Sequence, residues 1–377
     1  MTIPTLAGVL IACSISFSVC VKAADEPKSE AAPSAAANVS APAPASATNS
    51  AATVATPTPA PVNPRLAVID RIGKAALKAM AVSDDPIALV LSAKYVRDAD
   101  MKDSEKRDEA KMDALQAAMM MRAKQLADKS NKGFVDFQIA MFCLGLPDKP
   151  VCSSDAGAGD AVRAYAESDP SNITGWIIMA AREYASSNTD AATAFLKKAA
   201  AGKTSNWFYQ DAVGLTFKYA KNVNEPLAKI GDPESASFII SGAITLPPYK
   251  RLSQMCAPNS EGILPVGRYA ACHKIAARLV SKGVSNLEVL VGYKIQERLA
   301  LGKKNTKLAQ SSASNYESTQ AAIDYLWKTK MKFPPETDKN GEQLTKYFAN
   351  FMAYGEVGAT RMALKSQGKQ IADFRVK

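Results

Sequence analysis

The sequence predicts an all-α fold: an irregular stack of helical hairpins carried behind a disordered N-terminal tether. Three observations predict it. Apolar residues recur at helical spacing through most of the chain after Pro64, and apolar alternation over more than four residues is absent. The stretch from Ala24 to Pro64, as in SAPAPASATNSAATVATPTPAPVNP, holds almost nothing that could enter a core. The 377 residues therefore divide into a signal segment at 1–23, a linker at 24–64 and a helical, repeat-like domain at 65–377.

Residues 1–23 read as a signal peptide. An apolar run from Leu6 to Val21 is short for a spanning helix, and Val21-Lys22-Ala23 puts small residues at the last and third-last positions before Ala24. Only the terminal amine supplies positive charge ahead of that run. Two other readings stay open: an uncleaved anchor, and a lipobox at Leu10-Ile11-Ala12-Cys13, which would lipid-anchor the chain at Cys13. Against the lipobox, Ile15, Phe17 and Val19 follow Cys13 where polar residues are usual. All three readings place the folded part outside the cytoplasm, periplasmic or secreted. The linker reads as a flexible spacer, spanning roughly 35 Å as a coil of about 40 residues.

Of six cysteines, Cys13 and Cys20 fall in the signal segment. The remaining four, Cys143, Cys152, Cys256 and Cys272, are an even set in an exported chain and predict two disulfides. Three connectivities exist; the sequence-local one, Cys143–Cys152 with Cys256–Cys272, is preferred here. Loops of about 10 and 17 residues would each stabilise by roughly 3 kcal/mol on the chain-entropy account. A four-thiolate metal site is disfavoured because close Cys-x-x-Cys pairs are missing.

The folded part opens at Asn63-Pro64, a cap followed by proline in the first turn, with Leu66, Ile69, Ile72, Leu77 and Met80 at helical spacing. Ser83-Asp84-Asp85-Pro86 starts a second helix through Ile87, Leu89, Val90, Leu91 and Val96. A third, from about Ser104 to Ala127, is expected to bury Met112, Leu115, Met119, Ala123 and Leu126. Met119-Met120-Met121 reads as a core seam rather than a pliable groove. Helices over 133–146 and 156–168 follow, the latter weakened by Gly157 and Gly159 at roughly 1 kcal/mol each.

Asp169 to Lys203 is the best-formed stretch. Trp176, Met179 and Ala180 share one face of a first helix, and Ala192, Leu196 and Ala199 share one face of a second, so large side chains meet small ones. In that spacing the stretch resembles a tetratricopeptide or Sel1-like repeat unit, which implies a concave protein-binding surface. Glu183 stands where the family has an aromatic, and Thr204 where proline is common. Val213, Gly214 and Phe217 return in phase one repeat later, but Pro226 falls inside the expected partner helix. The resemblance covers about residues 169–220.

Beyond Asn222, DPESASFIISGAITLPPY predicts a short helix ended by Pro247-Pro248, with Cys256 in a following loop. A hairpin comes next. Its first arm turns Ala270, Ile275, Ala276, Leu279 and Val280 inward before Gly283. Ser285-Asn286-Leu287-Glu288 is a capping box, and the second arm turns Leu290, Val291, Ile295 and Leu299 inward. The last two helices are expected at about Tyr316–Phe333 and Gln343–Leu364, with Tyr347, Phe348, Phe351, Met352 and Tyr354 as a core face.

Chemistry is sparse. His273 is the single histidine, adjacent to Cys272, and neighbours on a helix point about 100° apart. Nucleophile triads and His-based zinc sites have little to draw on, and phosphate-cradling, dinucleotide and zincin motifs are missing. No catalytic, cofactor-binding or metal-ligating set is expected. Asp and Glu need no motif, so Glu183, Asp190, Asp211 and Glu225 remain candidates for a carboxylate-dependent cell-wall hydrolase. The formal charge is +10, with thirteen Lys and Arg against seven Asp and Glu in residues 301–377. The excess is spread over helix faces and reads first as solvated basic surface; if it meets a partner, an exported chain meets an anionic envelope surface rather than nucleic acid. The expected function is non-catalytic interaction with an envelope protein; the alternatives are the hydrolase and an inhibitor or immunity-type partner of a secreted toxin.

Overall fold

A computed structural model describes residues 64–95, 109–145, 152, 158–242, 246–265 and 267–375. The signal, lipobox and tether readings of residues 1–63 lie outside the described residues, as do Val96 and residues 104–108 of the predicted helices.

The protein is all-α. The described residues form α1 (Pro64–Ala81), α2 (Pro86–Ala93), α3 (Glu109–Leu126), α4 (Lys132–Gly145), α5 (Ala158–Ser168), α6 (Ile173–Ala185) and α7 (Thr189–Ala201). They continue as α8 (Tyr209–Lys221), α9 (Asp232–Gly242), α10 (Tyr249–Met255), α11 (Arg268–Lys282), α12 (Asn286–Gly302), α13 (Thr306–Asp324) and α14 (Asp338–Lys365). A π-helical turn at Tyr325–Lys330 extends α13, and a 3-10 turn at Ile371–Phe374 follows α14. Among the described residues no strand forms; the one β-type contact is an isolated parallel bridge between Asn172 and Thr204.

Caps written in the sequence set the helix starts. Asp85 accepts from the Ile87 amide at 2.9 Å, with Pro86 in the first turn of α2. Asn172 caps α6, Asn188 caps α7, and Asn305 caps α13. Sequence neighbours then pack as pairs: α4 with α5, α6 with α7, α8 with α9, and α11 with α12, which also receives α13. In the α6–α7 pair Trp176 stacks on Phe195 at 6.1 Å, and Lys198 lies over the Trp176 ring at 4.5 Å. The other side of α6 meets α5, where Gly175 lets the Ala166 backbone come close.

The stack is not open at its N-terminal end. Besides α2, α1 packs against both α8 and α9. Arg65 of α1 donates to Asp232 at 2.6 and 3.0 Å and to the Ile230 carbonyl at 2.7 Å, and Asp232 is fully buried. From the other direction α14 also meets α8 and α9. Here a second core cluster centres on Phe238, which faces Phe351, Phe348 and Trp327 at 5.4 to 5.6 Å in edge-on geometry. The α8–α9 pair therefore forms despite Pro226, which sits in the connection before α9 rather than inside it.

Several predicted faces shift. In α3, Leu115 and Leu126 are exposed while Gln116 is buried, because its amide donates to the Ala93 carbonyl at the end of α2 at 2.9 Å. Met119 and Met120 enter the core and Met121 does not. In α11 Ala271 and Cys272 face inward after buried Arg268, whereas Ala270 is exposed, and Cys272 is bonded to Cys256. Cys256 caps a helix, α10, rather than lying in a loop. The helix predicted from Tyr316 starts at Thr306, behind the Asn305 cap, with Ala309 and Ser312 buried. Of the predicted α14 face, Tyr347, Phe348 and Phe351 are buried whereas Met352 and Tyr354 are exposed. The face ends there because Gly355, at φ 72°, breaks the helix.

Candidate functional site

Both disulfides form with the sequence-local pairing: Cys143–Cys152, with Cα atoms 5.3 Å apart, and Cys256–Cys272, at 5.6 Å. The second joins α10 to α11, and α10 also packs on α6 and α12. It helps bring polar groups from four parts of the chain to the start of α12.

Glu288 lies there, fully buried. As the capping-box residue it accepts from the Val284 and Ser285 amides at 2.6 and 3.0 Å. It also accepts from the Tyr249 hydroxyl at 2.8 Å and from the Ser205 hydroxyl. Burial raises its pKa, and the four donors oppose that rise. Beside it Tyr165 donates to the Asn206 carbonyl at 2.8 Å and accepts from Asn172 at 2.9 Å, so the α6 cap belongs to the same network. Burial holds both tyrosine hydroxyls in the protonated form.

A second carboxylate reaches the same helix end. Glu356 follows the break at Gly355 and accepts from the Asn286 amide at 2.9 Å. Its pKa is pushed up to about 7, chiefly by burial, with the Glu288 charge adding to the rise. The residue keeps part of its surface in solvent, so this site is tightly packed without being sealed. The Asn286 side chain donates to Thr360 at 2.8 Å, which fixes α14 against α12.

On the outer side of this junction α12, α13, the segment after Gly355 and the 3-10 turn enclose a cavity of about 220 Å³. Buried Asn286, Ser318 and Thr319 line its inner part. Tyr293, Asn315, Arg361 and Arg375 line it further out, and the lining contains no Asp or Glu. Ser318 and Thr319 give their hydroxyl protons back to the helix, to the carbonyls of Ser314 and Asn315, at 2.7 and 2.8 Å. Their lone pairs remain available to the cavity.

The four carboxylates singled out in the sequence are not brought together there. Glu183, at the end of α6, accepts from Asn188 at 3.1 Å and lies 3.5 Å from Arg182. Asp190 is exposed in the first turn of α7. Asp211 sits in the first turn of α8, its pKa raised by burial. Glu225 holds Arg71 in a two-point pair at 2.9 and 3.1 Å, which lowers its pKa. His273 is exposed and stacks on Tyr269 at 6.4 Å. Another perturbed group, Lys94, donates to Gln138 at 2.5 Å, and burial pushes its pKa down to about 7.

The sequence marks Glu288 as a cap but not as a hub, and no motif marks Glu356, Arg361 or Arg375. The one available signal was the pair of glycines, Gly355 and Gly358, inside an apolar helical period. The chain matches no family model, no curated protein and no solved structure.

Proposed function

We propose that this is an exported, non-catalytic helical protein that engages an envelope protein of a bacterial cell through its surface. The observation carrying this reading is where the polar chemistry goes. The buried carboxylates Glu288 and Asp232 are tied by hydrogen bonds to backbone amides or to scaffold partners, while the C-terminal quarter leaves its basic residues outside. Lys303, Lys304, Lys307, Lys339, Lys346 and Lys365 are all exposed there. Exposed basic side chains of this kind attract an acidic partner and speed its encounter. Two disulfides in a chain of this kind support a compartment outside the cytoplasm. The large-on-small packing of α6 on α7 supports the repeat-like reading of that pair.

The test is to cross-link the native protein in intact cells, fractionate them and identify what co-purifies. The expected result is recovery in the envelope or extracellular fraction, with a reproducible protein partner whose association weakens as salt rises. A lone monomer in the cytoplasmic fraction would overturn the proposal.

A further inference from the structure

We infer that the cavity between α12, α13 and the segment after Gly355 is a binding site for a small oxyanion-bearing ligand of monosaccharide size, carrying a carboxylate or a phosphate. This site is independent of the protein-interaction reading above. Size sets the first limit. At about 220 Å³ the space exceeds by more than tenfold the roughly 15 Å³ that one water requires, yet falls below the range of drug-sized pockets.

Charge sets the second. Arg361 and Arg375 reach the cavity from two different elements, and among the described residues neither guanidinium forms an ion pair. The carboxylates near them in sequence form no ion pair with them and instead accept from backbone amides. Asp373, two residues before Arg375, accepts from the Gln370 amide at 2.8 Å, and Glu356 accepts from the Asn286 amide. A cavity with two fork-shaped cations and no acidic lining matches an oxyanion, to which each guanidinium can donate twice. The remaining groups suit a polyhydroxylated body. Tyr293 and Asn315 offer a hydroxyl and an amide with no side-chain partner among the described residues, and Ser318 and Thr319 offer acceptors deeper in.

The experiment is calorimetric titration of the full chain with inorganic phosphate, glucose 6-phosphate and glucuronate, with glucose as the neutral control. Saturable one-to-one binding of at least one of the two sugar oxyanions, and none of glucose, is expected. Arg361→Gln and Arg375→Gln should each weaken that binding about tenfold or more, since each removes charge-assisted hydrogen bonds. Both side chains are exposed, so thermal unfolding of the variants should match the parent chain. Phosphate binding alone would overturn the monosaccharide-sized ligand; tighter glucose 6-phosphate would mark the phosphate ester, and tighter glucuronate the sugar acid. No saturable binding of any of the three at about 10 mM, or binding unchanged in the double variant, would overturn the inference.

Discussion

Glu356 holds its proton more tightly in the folded protein than in the unfolded chain, with a pKa near 7 against an ordinary 4.5. Its contribution to stability is therefore full below about pH 4.5 and is lost as pH rises through 7. The difference corresponds to about 3 kcal/mol at most, and relaxation of a partly solvated site brings the expected effect nearer about 2 kcal/mol. Glu288 shifts in the same direction, so the parent chain carries both contributions. Urea unfolding of parent and Glu356→Gln at pH 4.5 and pH 8 isolates one of them. The variant should lose about 2 kcal/mol less across that interval; equal losses would show that Glu356 does not titrate with folding. Asn286, which supplies the amide that holds Glu356 down, is the residue through which the two carboxylates share one helix end.

At the scale of elements, α12 is the piece around which others are arranged, and its start is determined locally. Ser285 caps the Glu288 amide at 3.2 Å while Glu288 returns to the Ser285 amide. Ser285→Ala removes one half of this exchange in a buried place, and should cost about 1 kcal/mol in a denaturation midpoint. The loss should exceed that of an equivalent change at Asn305, whose cap on α13 is exposed. This element was legible in the sequence because a capping box is a short-range pattern: both partners lie within four residues. The break in α14 was not. Gly355 reads like any glycine in a helical period, yet it takes a positive φ where the chain after it is held by hydrogen bonds from Asn286 to Glu356 and Thr360.

For the whole molecule, the decisive contact is the return of α1 onto α8 and α9. Arg65 and Asp232 are 167 residues apart, and both are buried. Asp232→Ala leaves a buried guanidinium without its main acceptor and should cost about 3 to 5 kcal/mol. Removing the exposed pair formed by Arg71 and Glu225, through Arg71→Ala, should cost under about 1 kcal/mol. Equilibrium unfolding of the two variants tests the contrast; similar losses would mean that α1 is not held by its buried end. Such closure also changes what the protein can present to a partner. A first helix engaged by a later pair has less free surface than the first helix of an open array.

Local sequence patterns suffice for the helical class, most helix starts and the composition of the core, together with the cysteines that pair locally. Those features follow from patterns a few residues long: capping side chains, a 3.6-residue period and short loop closures. Tertiary structure decided the rest. It turned α3 so that Gln116 rather than Leu115 faces inward, because a carbonyl at the end of α2 needed a donor. It brought Ser205, Tyr249, Glu288 and Glu356 to one helix end, and Arg361 and Arg375 to one cavity. The first four lie tens of residues apart, and the two arginines 14 apart, with no shared spacing. Their meeting depends on how helices cross, which side-chain volume and long-range contacts set and no local period encodes.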